Sequence, residues 1–177
     1  MNWQFFGLET ERLNLRLVSL NDAQSLQAIM TEEISKWVAV WPHPLTQDTT
    51  TEIIQKVLTG YKEKRTLPLV IVDRSSEKTI GWIKADFDYA ERTTAEIGYW
   101  LSEDFQGRGL AFEAASALIK TCSEQFKVDA VRAGAQTANE VSHNLLVKLG
   151  MQRVGEELVF APARNREEMC TYFEISR

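Results

Sequence analysis

The stretch 94–111, TAEIGYWLSEDFQGRGLA, decides how this chain folds. From Thr94 to Leu101 the residues alternate with a period of two, which predicts a β-strand. The segment Gln106-Gly107-Arg108-Gly109-Leu110-Ala111 then opens a long stretch in which apolar residues recur at helical spacing as far as Phe126. A strand, a glycine-containing turn and a helix are therefore expected to follow one another here.

The turn between this strand and this helix suits an anion. The start of a helix offers unpaired N–H groups and a partial positive charge, and glycine allows a phosphate to approach the backbone closely. A pyrophosphate is the simplest ligand; the alternative is that Gly107 and Gly109 only shape a tight turn. A dinucleotide-binding fingerprint would need a glycine in place of Phe112, and a P-loop would need Gly-Lys-Ser/Thr, so both of these motifs fail.

Periodicity predicts the remaining elements. Further strands are expected at 13–17, 67–73, 79–87, 130–136, 152–160 and 169–176, and further helices after Ser19 or Asn21, at about 46–64 and at 137–149. The connections among the three strands between 67 and 101 are short, which favours antiparallel neighbours. The order of elements indicates an α/β (α+β) layer fold.

Composition narrows the class of protein. The chain has 177 residues, a length typical of one domain, and 44% hydrophobic residues, enough for a real core. Its 20 Lys plus Arg against 25 Asp plus Glu give a net charge of −5, which argues against a protein that binds nucleic acid by neutralising phosphates. A small or cationic partner fits this charge better.

Targeting and metal-binding signals are missing from the sequence. No basic residue precedes Arg12, and no apolar stretch is long enough for a signal peptide core or a membrane span, so we expect a soluble, cytoplasmic protein. Cys122 and Cys170 lie far apart without histidine at ligand spacing, so we expect neither a disulfide nor a metal site.

Four segments together resemble a known family. Gln106-x-x-Gly109-x-Ala111 is similar to the Q/R-x-x-G-x-G/A element of the GCN5-related N-acetyltransferases (GNAT). The segments 95–101 (AEIGYWL), 139–151 (NEVSHNLLVKLGM) and 10–16 (TERLNLR) resemble the branch that contains the Rim-type ribosomal-protein N-terminal acetyltransferases. The resemblance covers nearly the whole chain. It implies a single GNAT domain over 1–177, with a mixed, mostly antiparallel central sheet flanked by helices, and an acyltransferase that uses acetyl-CoA as co-substrate.

The resemblance also implies where acetyl-CoA binds. The pyrophosphate would rest on the glycine turn, and the pantetheine arm would lie along strand 94–101, where backbone groups exposed at a strand edge can pair with an amide-bearing ligand. A backbone N–H there can also polarise the thioester carbonyl. Plain strand pairing is the alternative. The implied cofactor-binding residues are Tyr99, Trp100, Leu101, Gln106, Gly107, Arg108, Gly109, Leu110, Ala111 and Asn139.

Two residues are candidates for proton transfer. Glu96 shares a strand face with Gly98 and Trp100, and a carboxylate in a partly dry groove gains a raised pKa suited to a base; the alternative is a solvated glutamate that attracts a cationic substrate. Ser142 lies on an otherwise apolar helical stripe, and its hydroxyl needs a partner. The resemblance implies that Ser142 protonates the leaving thiolate; the alternative is a bond to the carbonyl of Ala138.

Departures from the family pattern leave other positions open. Many relatives have a tyrosine acid where Leu146 stands, so that role is empty here. Asn139 matches an asparagine that contacts pantetheine or substrate, or else it belongs to a helix start in which Thr137 and Glu140 form a capping box. Trp37 is expected in the core, and the run 164–168 is expected to form a solvated hairpin loop.

The chemistry of amines favours one acceptor class. An α-amino group has a pKa of about 7.7 to 8.0 against about 10.4 for lysine, so it needs less help from a base. We therefore expect acetyl transfer to a protein N-terminus, of a ribosomal protein by the resemblance. The alternatives are a small-molecule amine acetyltransferase, acting on an antibiotic or a polyamine, and a module that binds acyl-CoA without turnover. The sequence leaves the oligomeric state open.

Overall fold

A computed structural model describes residues 7–89 and 93–176, and its centre is one sheet of eight strands. In spatial order the strands are β1 (Leu8–Glu9), β2 (Leu13–Leu17), β3 (Thr66–Asp73), β4 (Thr79–Asp88), β5 (Thr94–Leu101), β6 (Ala130–Gln136), β8 (Arg166–Ser176) and β7 (Gln152–Ala161). Neighbouring strands are antiparallel except β5 and β6, which run parallel. The expected fold class, with its mixed, mostly antiparallel sheet, is confirmed.

Helices cover both faces of this sheet. Within the described ranges they are α1 (Ala23–Ile29), α2 (Glu32–Ser35), α3 (Gln47–Lys62), α4 (Leu110–Glu124) and α5 (Glu140–Lys148). Leu118 of α4 and Leu146 of α5 belong to the larger core on one face, and Leu26 of α1 and Ile54 of α3 belong to a second core on the other. Because side chains alternate along a strand, successive residues of β5 point into different layers. None of these helices is long and apolar enough to cross a membrane.

Most predicted elements form close to the expected bounds, and the differences have local causes. α4 begins at Leu110 rather than near Gly107, because Gly107 and Gly109 have φ angles of 70° and 77°, outside the helical region. α5 begins at Glu140 rather than at 137. Its N-cap is Asn139, whose side chain accepts the N–H of Ser142, so the expected Thr137–Glu140 capping box is wrong.

Two short elements escape the sequence prediction. β1 has two residues and α2 has four, so neither is long enough to show a hydrophobic period. The expected turn at 88–93 includes residues 90–92, which lie outside the described residues, as do residues 1–6 at the start of the chain.

The pairing between β5 and β6 is brief. Thr94, Ala95 and Glu96 pair with Ala130, Val131 and Arg132, and beyond these pairs the two strands separate. The second half of β5 therefore keeps its bonds to β4 on one side and presents free backbone groups on the other. The gap between β5 and β6 begins beyond Glu96 and Arg132 and extends to the C-terminal ends of both strands. It is called the slot below.

The run 164–168 includes the expected hairpin turn between β7 and β8, but Arg164 and Glu168 are partly buried and not solvated as expected. The Arg164 guanidinium binds both carboxylate oxygens of Glu168 at 2.7 and 2.6 Å. It also donates to the carbonyl oxygens of Ser35 at 2.6 Å and Val38 at 3.0 Å. Arg164 thus joins the β7–β8 hairpin to the end of α2, the two segments that flank the open face of the sheet.

We predict that Arg164→Met destabilises the fold by about 2 kcal/mol, because two carbonyl groups and a partly buried carboxylate each lose one of their donors. Hydrogen bonds from Arg164 lower the pKa of Glu168. The difference from wild type should therefore be full at pH 7 and shrink as the pH falls through that lowered pKa. Urea unfolding at several pH values measures it.

Arg153→Met is the matched control, since Arg153 forms an exposed ion pair with Glu156, three residues farther along β7. Its effect should stay within about 0.5 kcal/mol. Equal losses for both variants would contradict the role given to Arg164.

Candidate active site

One long cavity of about 1120 Å³ connects the glycine turn with the open face of the sheet. It begins at Gly107 and Gly109, follows the slot past Tyr99 and Ser142, and reaches Glu96 on the other side of β5. Its lining includes each predicted site residue except Arg108, whose side chain stacks over the Phe105 ring. The predicted residues are thus brought together along one channel.

The glycine turn has the geometry of an anion cradle. Gly109 is the N-cap of α4 and has left-handed backbone, and a Cβ added at Gly107 would meet nothing within 4 Å. The N–H groups at the start of α4 have no partners within the helix. Gln106 holds the start of the turn through a bond from its side-chain amide to the carbonyl oxygen of Leu101 at 2.9 Å. The turn can therefore hold a phosphate or pyrophosphate without rearrangement.

An ion pair that involves a residue near the start of the chain holds this turn in place. Arg12 donates to the carbonyl oxygen of Arg108 at 2.9 Å and to the Glu113 carboxylate at 2.7 Å. Glu113 also accepts bonds from the Thr10 hydroxyl and from the backbone N–H of Arg12. Desolvation raises the pKa of Glu113, but these bonds outweigh it and the pKa is lowered. The carboxylate in the first turn of α4 is therefore ionised and paired.

On the α4 and α5 side of the slot, a tyrosine and a serine meet. The Tyr99 and Ser142 hydroxyl oxygens lie 3.0 Å apart. Ser142 is thus partnered by Tyr99, not by the carbonyl of Ala138 that sequence reasoning had as the alternative. Desolvation raises the pKa of Tyr99, so its hydroxyl stays protonated at neutral pH. Either hydroxyl can be the donor in this bond; when Tyr99 donates to Ser142, the Ser142 proton is free to point into the channel.

On the opposite side of β5, Glu96 faces an open groove. Asp86 is its register partner on β4, and Arg132 is its partner on β6. Desolvation raises the pKa of Glu96, and the Asp86 carboxylate raises it further, while Lys84 and Arg132 oppose the shift. The carboxyl is desolvated even though the residue is exposed at the groove. Glu96 and Ser142 therefore approach the slot from opposite faces of the sheet.

Three tryptophans close one end of this groove. Trp41 packs edge-on against Trp82 and Trp100, with ring centroids 5.1 and 5.2 Å away. Trp41 is buried, whereas Trp37 is 36% exposed at the rim, so the expectation that Trp37 lies in the core is wrong. Trp37 lies two residues after the end of the short helix α2, and sequence periodicity could not reveal this helix.

Other features of the site were not found from the sequence. Tyr172 and Cys170 of β8 line the cavity beside Glu168. Their alternation places them on one strand face, but nothing in the sequence shows that this face meets β5. Among the described residues, no group of three or more His, Cys, Asp or Glu side chains could hold a metal ion.

We predict that Gly109→Trp weakens CoA binding at least 100-fold, because a bulky side chain at the N-cap occupies the phosphate position and excludes it. The left-handed φ of 77° adds local strain, yet α4 should remain folded. Calorimetric titration with CoA and far-UV circular dichroism give the two readouts.

Gly155→Trp serves as the control, because a Cβ at Gly155 also meets nothing within 4 Å but the residue lies on β7, outside the cavity lining. An unchanged affinity of the Gly109 variant for CoA would refute the assignment of the turn to phosphate.

Comparisons with known proteins agree with this geometry. Residues 12–152 match the model of the acetyltransferase (GNAT) domain. The N-acetyltransferase YoaA of Bacillus subtilis, itself uncharacterized, is 28% identical over 149 residues, which is 84% of this chain and 84% of YoaA.

Two solved structures share the fold. A suggested ribosomal-protein-serine acetyltransferase from Vibrio cholerae has a TM-score of 0.85 and 21% identity, over 100% of both chains. The microcin C7 self-immunity acetyltransferase MccE, solved with acetyl-CoA and AMP, has a TM-score of 0.83 and 20% identity, over 95% of this chain and 94% of MccE. Since the matched residues 12–152 include the glycine turn, both strands of the slot and Ser142, this chain belongs to the GNAT family of acetyltransferases, whose acetyl donor is acetyl-CoA.

Proposed function

We propose that this acetyltransferase modifies the N-terminal α-amino group of a protein, with ribosomal proteins as the candidate class. The observation that carries the proposal is the setting of Glu96, one carboxylate on the floor of an open groove with a raised pKa caused by desolvation and by Asp86. A carboxylate is a weak base. It suits an α-amine, which is partly neutral near pH 7, better than a lysine, which is almost wholly charged.

The charge of the molecule and the names of structural neighbours support the same class. A net charge of −5 attracts basic protein termini at long range. The Vibrio cholerae protein that shares the fold carries the name of a ribosomal-protein acetyltransferase. A ribosomal substrate would place this enzyme in the cytoplasm.

In the proposed reaction the amine approaches from the groove face and attacks the thioester carbonyl carbon at the slot. Glu96, directly or through a water, takes the proton that the nitrogen loses as the new C–N bond forms. The C–S bond then breaks, and Ser142 gives a proton to the sulfur on the other face of the sheet. Ser142 regains a proton from water, and Glu96 releases the proton it took to water. Tyr99 acts as a positioning residue, because its bond to Ser142 at 3.0 Å directs the serine proton toward the channel. The glycine turn and backbone groups of 99–101 hold the donor.

A small-molecule amine is the second candidate acceptor. The observation in its favour is the likeness to MccE, whose structure holds acetyl-CoA and AMP. The volume of the cavity, about 1120 Å³, also leaves room for a compact ligand, since ligand pockets commonly measure about 300–1,000 Å³.

The acceptor class is tested with matched peptides. We expect acetyl transfer to a basic peptide with a free N-terminus, and none to the same peptide with a blocked N-terminus and an internal lysine. Release of CoA, together with the mass of the product, gives the readout. Turnover confined to the blocked peptide or to a panel of antibiotics and polyamines would overturn the proposal.

The base is tested through the pH dependence of kcat/KM. Glu96→Gln should lower kcat by roughly 100-fold and remove the acidic limb of the profile. Asp86→Asn should move that limb to lower pH, because it removes the carboxylate that raises the pKa of Glu96 and frees Lys84, which lowers it. Ser142→Ala should lower kcat without moving the limb.

Glu124→Gln, which neutralises an exposed carboxylate at the end of α4, is the control and should leave the profile unchanged. An acidic limb that persists in Glu96→Gln would exclude Glu96 as the base.

A further inference from the structure

An opening through the sheet lies where the pairing between β5 and β6 ends. Glu96 and Arg132 form the last pair, and two residues farther along both strands the chain has glycine, Gly98 on β5 and Gly134 on β6. Both positions face the groove, since they share a strand face with Glu96 and Arg132. A Cβ at Gly98 would meet nothing within 4 Å. The slot is therefore unobstructed on its β5 side at the point where donor and acceptor must meet.

The β6 side of this opening is covered by the ring of Tyr172. Tyr172 is the register partner of Gly134 on β8, and a Cβ added at Gly134 would lie 2.8 Å from Cζ and 2.9 Å from Cε1 of the tyrosine. Cζ is the atom that carries the hydroxyl, so the hydroxyl end of the ring lies over β6, beside the opening. The Arg132 guanidinium also contacts this ring, in a cation–π contact 4.8 Å from the ring centroid.

The hydroxyl of Tyr172 has no partner in the described part of the protein. The residue lines the cavity and is 7% exposed, and within the described residues its oxygen makes no hydrogen bond. A phenol without a protein partner at a cavity wall is available to donate a hydrogen bond to a ligand.

The chemistry of the surroundings decides what that partner is. Of the cations at the opening, Lys84 pairs with Asp86, and Arg132 donates from Nη2 to Glu157 at 3.0 Å. The buried Nε–H of Arg132 and Nε1–H of Trp100 have no hydrogen-bond partner among the described residues. Desolvation first, and then the Glu96 and Glu157 carboxylates, raise the pKa of Tyr172 to about 12, so the phenol keeps its proton. A protonated phenol is matched by a ligand oxygen that accepts a hydrogen bond.

We propose that Tyr172 is a catalytic residue whose hydroxyl donates a hydrogen bond to the carbonyl oxygen of the acetyl thioester. When the amine nitrogen bonds to the carbonyl carbon, the C=O electron pair moves onto that oxygen, and the phenol stabilises the negative charge without transferring its proton. The pair returns as the C–S bond breaks, the nitrogen loses one proton and the sulfur gains one. The phenol therefore assists a backbone N–H at the slot as a second donor to the oxyanion.

This inference rests on acetyl transfer and not on which amine accepts the acetyl group. Its test uses whichever acceptor the wild-type enzyme turns over, so a failure of the N-terminal proposal and a failure of the Tyr172 proposal give different results.

The decisive variant is Tyr172→Phe, which keeps the ring and its contact with Arg132. We expect kcat to fall roughly 100-fold, the loss typical of an oxyanion donor, with unchanged KM for the acceptor and unchanged affinity for CoA. Calorimetry should also show a smaller preference for acetyl-CoA over CoA, by about 3- to 10-fold, because only acetyl-CoA has the carbonyl oxygen. Tyr89→Phe is the matched control, since its hydroxyl bonds the Lys64 carbonyl outside the cavity and its loss should leave kcat unchanged.

A double-mutant cycle with Gly134 adds a second readout. Gly134→Ala places a methyl group against the Tyr172 ring and should lower kcat by displacing the hydroxyl. In the Tyr172→Phe background the same change should cost little more, because the hydroxyl is already gone. An unchanged kcat in Tyr172→Phe, or a loss confined to the KM of the acceptor, would overturn the proposal.

Discussion

The parallel pairing of β5 and β6 stops after Glu96 and Arg132, and the whole active site depends on this short ladder. Had the two strands paired to their ends, the backbone groups of 97–101 would be satisfied by β6 and no channel would cross the sheet. An unpaired strand edge inside a protein is normally unfavourable, because buried N–H and C=O groups need partners. A ligand with amide groups of its own can provide them, and the pantetheine arm of acetyl-CoA has such groups.

The slot also separates the two halves of the chemistry. Glu96, Gly98 and Trp100 face the groove, whereas Tyr99 faces α5 and Ser142. In the proposed reaction, the alternation of side chains along one strand supplies the proton acceptor on one face and the proton-donating pair on the other. A carboxylate and a leaving thiolate held on the same face would repel each other, and in that reaction the sheet would keep them apart.

Much of this arrangement could be predicted from the sequence because it is local. The period of two in 94–101 and the glycines before α4 determine their own conformations, and the alternation of β5 already places Glu96 with Trp100. Contacts between distant segments could not be predicted in the same way. The bond between Tyr99 and Ser142 joins residues 43 positions apart, and the placement of Tyr172 over Gly134 depends on the order of strands in the sheet. Trp37 and Arg164 were misjudged for the same reason, since α2 is too short to show a pattern and both residues lie near its end.

The ion pair behind the glycine turn has an electrostatic consequence. Because Arg12 neutralises Glu113, the turn attracts phosphate mainly through backbone dipoles, whose field decays faster with distance than that of a charge. Far from the turn, an incoming donor instead meets the net charge of −5, which repels its phosphates and attracts a cationic acceptor. Dissolved salt screens the long-range field and leaves the short-range one largely intact. For the basic acceptor proposed above, higher ionic strength would therefore speed the encounter with acetyl-CoA and slow the encounter with the acceptor.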